Sequence, residues 1–385
     1  MTAIIKPTGR VHWLGTGLST GSGLGLVCSG TERTLLWGRT VRKAEDCLQR
    51  LGLQGRAEVR ALDTKALADE LIPGDVVVSM LPTDHHPALV KLSLDHDAHF
   101  ASSSYVSPGV AAYARAAAEA GLVILTEAGL DPGIDHLLSH QLVRMAVAVT
   151  GERPATARFT SYCGSNPAVA NDFRYRFSWA PRGVLTALLT PAMFVEDGAR
   201  KVAARPWESL RRIALNGDQF EAYPNRDSLP FIERYQLPAS WTVDQFVRGT
   251  LRLDGWSQAW APVFAELLAG NDDRITALAS ELAQRYPTTP LDHDRVVMSV
   301  ALEVNTADGM AWQGRYDLDA TGDGTEDVTP RLVSTALACA VLDMTAGRTA
   351  PGLHHATNEP EAIQRWLVFL KTHGIEPTWR AGLSR

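Results

Sequence analysis

The sequence predicts an α/β fold: a parallel-sheet domain of the nucleotide-binding type, then a mixed-sheet domain that carries a small helical insertion. Three observations predict it. Up to Asp131, short apolar runs alternate with amphipathic stretches, which is how a parallel sheet with right-handed helical crossovers reads. A glycine-rich loop, Gly15-Thr16-Gly17-Leu18-Ser19-Thr20-Gly21, follows the first run directly. Beyond Asp131 the apolar runs lengthen and irregular segments join them.

Composition narrows the class further. Of 385 residues, 45% are hydrophobic and 21% charged, a globular balance, and the length suits two or three domains. With 37 Lys plus Arg against 43 Asp plus Glu the net charge is -6, so neither nucleic acid nor an anionic membrane is an expected partner. No run of about 18 apolar residues offers a membrane span. Met1–Arg10 has no apolar stretch of the signal-peptide kind. Cys28, Cys47, Cys163 and Cys339 lie far apart, which gives neither a disulfide framework nor a zinc cluster. A cytoplasmic location and no metal are the expectation.

Taken in order, Val11–Leu14, Leu35–Trp37, Val76–Val78 and Val123–Leu125 read as buried strands, short, apolar and bounded by turn residues. Val41–Leu51 and Pro108–Ala120 are the clearest helices between them; Ser107-Pro108 is a helix-start signal. After Asp131, Arg158–Tyr162, Val202–Ala204 and Val296–Val304 read as strands, and Ala311–Asp319 pairs back on the last across a turn at Asp308-Gly309. Trp241–Tyr286 reads as helical, most clearly at Ala259–Leu268 and Ile275–Ala283. The tail returns to helix at Leu332–Thr345 and Pro360–His373.

The glycine loop is the strongest local signal. A G-x-G after a strand allows a tight turn and close approach of a pyrophosphate, with the next helix's N-terminus facing the anion. Thr20 stands where G-x-G-x-x-G has its third glycine. Gly17–Gly21 also spells G-x-S-x-G, but a nucleophile elbow needs a sheet already built by earlier strands. The second strand ends Trp37-Gly38-Arg39-Thr40. A carboxylate at this tip would favour the ribose diol of NAD; a guanidinium and a hydroxyl favour the 2′-phosphate of NADP.

Other constellations are weaker. Asp131-Pro132-Gly133 stands at the carboxyl edge of the sheet, where ligands of open α/β folds bind. His136 and His140 have i, i+4 spacing without a third ligand, which favours burial or capping over a metal. Asp317-x-Asp319-x-Thr321-Gly322 begins like a calcium loop but has Val328 at its twelfth position. Arg226 and Arg248, in turn-rich settings, are candidate carboxylate clamps.

These residues together resemble the saccharopine dehydrogenase (saccharopine reductase) family. Ser103-Ser104-Tyr105-Val106-Ser107-Pro108 is similar to its SSY-x-SP stretch, and Glu127 to His136 to its E-x-GLDPGIDH turn. Ser161-Tyr162-Cys163-Gly164, Phe177-Ser178-Trp179, Tyr223–Ser228 and Arg248–Arg252 match further motifs in order, over nearly the whole chain. The chain departs from the family where GLPAPE is replaced by Ser165-Asn166-Pro167-Ala168-Val169-Ala170, a segment expected near substrate. Its helical insertion is also shorter than in the fungal members.

The resemblance implies a Rossmann-type NADP-binding domain (1–131 and 335–385), a mixed α/β substrate and dimerisation domain (132–240 and 296–334) and a helical insertion (241–295). It implies a homodimer acting on a small molecule: reversible NADP-dependent oxidation of the secondary amine saccharopine to 2-aminoadipate semialdehyde and L-glutamate, with NAD as the alternative cofactor. Cofactor contacts carried over are Gly15, Thr16, Gly17, Leu18, Ser19, Gly38, Arg39, Thr40, Asp63, Thr64, Leu81, Ser103, Ser104, Gly129, Leu130 and Asp131. Substrate contacts are Ser104, Tyr105, Asp131, Arg226, Arg248, Gly249 and Thr250. Asp131 is the first choice for proton transfer, beside Tyr105 and Cys163. A related amine dehydrogenase acting on a carboxyspermidine- or opine-type amine, or a nucleotide-binding protein without catalysis, would share many of these residues.

Overall fold

Everything after Arg10 in the run Arg10–Leu14 is buried, and the run forms the first strand, β1. The computed structural model describes residues 3–289 and 292–381. Past β1 come helix α1 (Gly23–Gly30), β2 (Arg33–Gly38), α2 (Val41–Arg50), β3 (Glu58–Ala61), α3 (Thr64–Glu70), β4 (Val76–Ser79) and α4 (His86–Asp95). β5 (His99–Ser102), α5 (Pro108–Ala111), α6 (Ala114–Ala120), β6 (Val123–Thr126) and α7 (Ile134–Thr150) complete the alternation. Strands buried on both faces must be almost wholly apolar, which is why β1, β2, β4 and β6 show in the sequence. β3 has no buried residue, and β5 begins and ends on polar side chains.

Longer strands follow: β7 (Ala155–Pro167), then α8 (Pro181–Leu189), β8 (Ala192–Glu196), β9 (Ala199–Ala203), β10 (Arg211–Leu215), β11 (Asp218–Pro224), α9 (Pro230–Arg234) and β12 (Trp241–Leu253). Three helices, α10 (Trp256–Ala259), α11 (Ala261–Ala269) and α12 (Asp272–Arg285), precede the hairpin of β13 (Asp294–Thr306) and β14 (Ala311–Thr321). The chain ends through α13 (Val328–Thr345), β15 (Gly352–His355), α14 (Pro360–Thr372) and β16 (Thr378–Ala381).

Two compact units emerge. The chain up to Leu137 with Pro330–Ile375 forms one; Leu138–Thr329 with the residues from Glu376 forms the other. The first holds a seven-stranded sheet in the order β15-β6-β5-β4-β1-β2-β3, parallel throughout. Its core includes Leu14, Leu35, Trp37, Val77, Phe100 and Ile124. The second holds the order β10-β11-β12-β7-β13-β14-β16, with β8 on β12 and β9 on β8. Among the described strands there, β12 and β7 alone pair in parallel. An aromatic cluster around Phe173, Tyr175, Trp256, Trp260 and Phe264 joins α8, α10, α11 and α12.

Two expectations need correction. Trp241–Leu253 is a thirteen-residue strand rather than the start of a helical stretch. Lying between β11 and β7, it buries Phe246 to Gly249 on both faces, and an irregularity between Val243 and Gln245 breaks its alternation. Helix begins only at Trp256, after Gly255 in the left-handed region (φ 83°). The tail past Ile375 also leaves the parallel-sheet unit: β16 pairs antiparallel with β14. Trp379 packs tilted against the Tyr316 ring at 5.0 Å, and Gly314 leaves the space it fills, since a Cβ there would stand 2.3 Å from the indole.

Candidate active site

Parallel strands bring all their carboxyl ends to one edge, and the nucleotide-side candidates stand there: Gly15–Ser19 after β1, Gly38–Thr40 at the end of β2, Asp63-Thr64 after β3, Leu81 after β4, Ser103-Ser104 after β5 and Gly129–Asp131 after β6. Strand order reverses between β1 and β4, which is where a crevice opens in such sheets. Gly15 (φ 118°) makes the tight turn there, and a Cβ on it would come within 3.1 Å of Met80. A Cβ on Gly17 would meet nothing within 4 Å, so the space beside its backbone is open.

The helix contributes less than its motif suggests. α1 starts only at Gly23, whose N–H donates to Ser334 Oγ (3.0 Å), while those of Leu24 and Gly25 donate to the Gly21 and Ser22 carbonyls. The first N–H groups of α1 are thus engaged within the chain, while the loop backbone at Thr16–Ser19 precedes them. The close helix packing of a third glycine is supplied by Gly23 in place of Thr20: a Cβ on it would stand 2.0 Å from the Ser334 carbonyl oxygen of α13. Thr20 instead donates from its hydroxyl to the Gly15 carbonyl (3.0 Å) and fixes the turn. Ser19 belongs to this loop and not to a nucleophile elbow.

At the β2 tip Arg39 and Thr40 are exposed. Thr40 caps α2 by accepting from the Lys43 N–H (3.2 Å), which leaves its hydroxyl hydrogen to donate. Asp63 likewise caps α3, accepting from the Ala66 N–H (2.9 Å). The Leu81 carbonyl lies 3.1 Å from His86 Nε2. Gly38 is held to glycine by the Ala44 nitrogen, 2.8 Å from where a Cβ would sit.

Tyr105 donates to Asp131 Oδ1 at 2.7 Å. Asp131 sits on a narrow turn: Gly129 N–H donates to the Pro132 carbonyl (2.8 Å), Ile134 N–H to the Gly129 carbonyl (2.9 Å), and the Asp131-Pro132 peptide is cis. Gly133 (φ 148°) admits no side chain, since a Cβ would lie 2.0 Å from the Gly129 oxygen. Beneath lies Glu127, 1% exposed and itself left-handed (φ 58°). Its Oε2 is 3.0 Å from His136 Nε2, and its Oε1 accepts from the Val106 N–H (3.1 Å). Burial pushes this carboxyl up, but the hydrogen bonds of His136 and His355 win and hold it far below the usual carboxylate range. His136 is thereby a partner of a buried carboxylate. His140 packs edge-on against the Tyr235 ring at 5.4 Å. Among the described residues no group of three ligating side chains could hold a metal.

In the mixed-sheet unit, the Asn225 N–H donates to the Arg248 carbonyl (2.8 Å), which brings the 225–228 turn to β12. Arg226 has positive φ (55°), and its carbonyl accepts from the Met193 N–H (2.9 Å). Ser228 Oγ accepts from the Arg248 N–H (3.0 Å), and the buried Arg248 guanidinium lies over the Phe231 ring at 4.0 Å. Gly249 pairs in register with Tyr162 and Thr250 with Cys163; a Cβ on Gly249 would strike the Tyr162 ring at 2.7 Å. Ser165–Pro167, within the segment that departs from the family, forms the end of β7, paired with Val296 to Asp294. Asp317-x-Asp319 is strand as well, in β14, with Asp317 bridged to Arg315 and Arg380. A cleft of about 440 Å³ on this sheet, lined by Arg158, Thr160, Gln245, Gln313 and Arg315, holds none of the candidates.

Glu127 and its histidines escaped the sequence reading as a unit. Glu127 shows in the sequence at the head of its turn motif, but its partners come from residues 106, 136 and 355.

The parallel-sheet unit suits a dinucleotide with a 2′-phosphate: its β2 tip carries no carboxylate, Arg39 is exposed there, and Gly17 leaves room for a pyrophosphate. Residues 11–125 match the family model "Saccharopine dehydrogenase NADP binding domain", and 129–375 the model "Saccharopine dehydrogenase C-terminal domain". The chain is similar to the saccharopine dehydrogenase [NADP(+), L-glutamate-forming] of Pyricularia oryzae, with 36% identity over 259 residues, 65% of this chain and 56% of that protein. It spans about half the length of the curated fungal relatives it matches. Apo saccharopine dehydrogenase (L-Glu forming) of Saccharomyces cerevisiae has a similar fold: TM-score 0.79, 24% identity, covering 97% of this chain and all of that one. The homospermidine synthase of Legionella pneumophila in complex with NAD gives a TM-score of 0.64 at 10% identity, covering 99% and 93%.

Proposed function

Because the chain belongs to the saccharopine dehydrogenase family, we propose that it oxidises saccharopine with NADP⁺ to 2-aminoadipate semialdehyde and L-glutamate, and runs the reverse reaction, in lysine metabolism. The observation that carries this reading is the Tyr105–Asp131 hydrogen bond at the carboxyl edge of the parallel sheet, among the loops that suit the dinucleotide.

Thr16–Ser19 would hold the pyrophosphate, and Arg39 and Thr40 the 2′-phosphate. The nicotinamide, when bound, supplies the hydride acceptor. The chain's own residues do the rest. Arg226 and Arg248 take substrate carboxylates through charge-assisted hydrogen bonds, with Gly249 and Thr250 beside them and Ser104 at the β5 end. Tyr105 fixes the rotation of the Asp131 carboxylate by donating to Oδ1. Asp131 accepts the N–H proton of the secondary amine as the adjacent carbon gives up hydride and a C=N bond forms; once water has added across that bond, Asp131 returns a proton to the nitrogen as the C–N bond breaks and takes up the hydroxyl proton released as the carbonyl forms. Cys163 and Tyr105 assist by hydrogen bonding. The domain roles (nucleotide, substrate and dimerisation, helical insertion) and the homodimer belong to the same proposal and rest on the resemblance, while a cytoplasmic setting rests on the scattered cysteines. No helix among the described residues is long and apolar enough to cross a membrane.

Turnover with saccharopine and a panel of other secondary amino acids, followed by the absorbance of the reduced nicotinamide with NADP⁺ and NAD⁺, tests the reading. Faster turnover of a different amine would replace the substrate; no turnover of any would remove the activity.

A further inference from the structure

Glu127 is a buried carboxylate to which the proposed chemistry gives no task. Holding an ionised carboxylate at 1% exposure is costly unless it is fully paired, and a non-glycine residue at φ 58° adds backbone strain. An apolar side chain would fill the same space at less cost, so the arrangement asks for a reason.

Its contacts supply one. The Glu127 N–H donates to the Ser104 carbonyl (3.0 Å), and Glu127 Oε1 accepts from the Val106 N–H (3.1 Å). Tyr105 is thus bracketed, with the residue before it and the residue after it both held by Glu127. On the other side, Oε2 is 3.0 Å from His136 Nε2, His136 Nδ1 is 3.4 Å from Asp135 Oδ2, and Asp135 Oδ1 accepts from the Gly133 N–H (2.7 Å). That chain ends on the turn that carries Asp131. His355, at the end of β15, approaches Oε1 at 3.5 Å and closes the remaining side. The two strands that anchor this hub are register partners, His355 opposite Thr126.

We propose that Glu127 is a positioning residue: through Val106 on one side and His136–Asp135 on the other, it sets the geometry of the Tyr105–Asp131 pair. The inference rests on the catalytic role proposed for that pair. Glu127→Gln keeps the size but cannot accept from both the Val106 and His136 donors, and displacement of reacting groups by about 1 Å costs up to about a hundredfold in rate.

The expected result is a kcat about ten- to a hundredfold lower in E127Q, with an unchanged Kd for NADP⁺. In a Tyr105→Phe background the further loss from E127Q should fall below about threefold, because the pair it positions is already broken. His136→Gln, which retains a donor toward Glu127, should keep most of the turnover that His136→Leu loses; this pair answers the same question if E127Q does not fold. A crystal structure of E127Q, or of H136L, needs no substrate and reads the Tyr105 Oη to Asp131 Oδ1 separation, expected beyond about 3.5 Å. Losses that multiply in the double variant, or an unchanged separation with unchanged kcat, overturn the proposal. If the wild type does not turn over saccharopine, the functional reading falls by itself, and the crystallographic arm still decides what Glu127 positions.

Discussion

At Arg39 the choice between the two nicotinamide dinucleotides rests on one guanidinium. It is exposed at the β2 tip, beside a threonine whose hydroxyl hydrogen is left to donate by the capping of α2. Arg39→Ala should cost about tenfold in kcat/KM with NADP⁺ and little with NAD⁺, the low end of a charge-assisted contact because solvent and salt screen it; a wild type that uses NAD⁺ equally well would sink the idea. Arg226→Ala should raise the KM for saccharopine about ten- to a hundredfold while NADP⁺ affinity holds, as expected for a lost carboxylate clamp, measured by steady-state kinetics against direct cofactor titration. Asp131→Asn should lower kcat more than it raises KM and remove one limb of the kcat/KM profile against pH. If both limbs persist, Asp131 orients substrate and another group moves the proton. Tyr105, Asp131, Arg226 and Arg248 could be named as candidates because each stands in a long motif. Glu127 opens the same turn motif as Asp131, yet its task stayed hidden, since it lies in donors brought together from residues 106, 136 and 355.

The first strand, its loop and α1 show two uses of glycine that kinetics and melting can separate. Gly17 has open space where a side chain would go, whereas Gly23 lies against the α13 backbone. Gly17→Ala should leave Tm unchanged and weaken NADP⁺ binding by about tenfold, roughly 1.4 kcal/mol. Gly23→Ala should instead lose about 1–3 kcal/mol of stability through overpacking, read as a lower Tm. Equal effects on both observables in both variants would refute the division. Elements were legible where burial on two faces leaves an apolar run, as in β4 with all four residues buried. They were hidden where the run is polar, exposed or interrupted: β3 has no buried residue, and β12 carries Thr242, Asp244 and Gln245 in its first half. Helix periodicity was then the wrong reading of β12, because partners remote in sequence, β7 and β11, decide that segment.

Over the whole molecule, stability toward acid should depend on a charge inside the parallel sheet. Asp75, fully buried, accepts from Thr8 Oγ1 (2.7 Å) and the Ile72 N–H (3.1 Å), with His12 Nε2 at 3.0 Å; Trp37 Nε1 donates to His12 Nδ1 at 3.3 Å. Burial pushes this carboxyl up, but the bonds from His12, Thr8 and Ile72 bring it below its ordinary 3.8. A carboxyl depressed by folding contributes fully above its unfolded value and loses that contribution as pH falls through the folded one. Its window therefore lies below about pH 4. Asp75→Asn should cost about 1–3 kcal/mol near neutrality and flatten the acid limb of stability measured by urea unfolding; an unchanged limb would place the acid sensitivity elsewhere. Connectivity has a further consequence, for synthesis. β15, α13 and α14 belong with the chain up to Leu137, yet they follow Thr329. A ribosome must therefore finish nearly all of the mixed sheet, β16 apart, before the parallel sheet can receive its seventh strand. Domains commonly fold in the order they emerge. Here Gly23 waits for Ser334 and β6 for Gly352–His355, so the half that is begun first cannot be completed until nearly all of the other has been made.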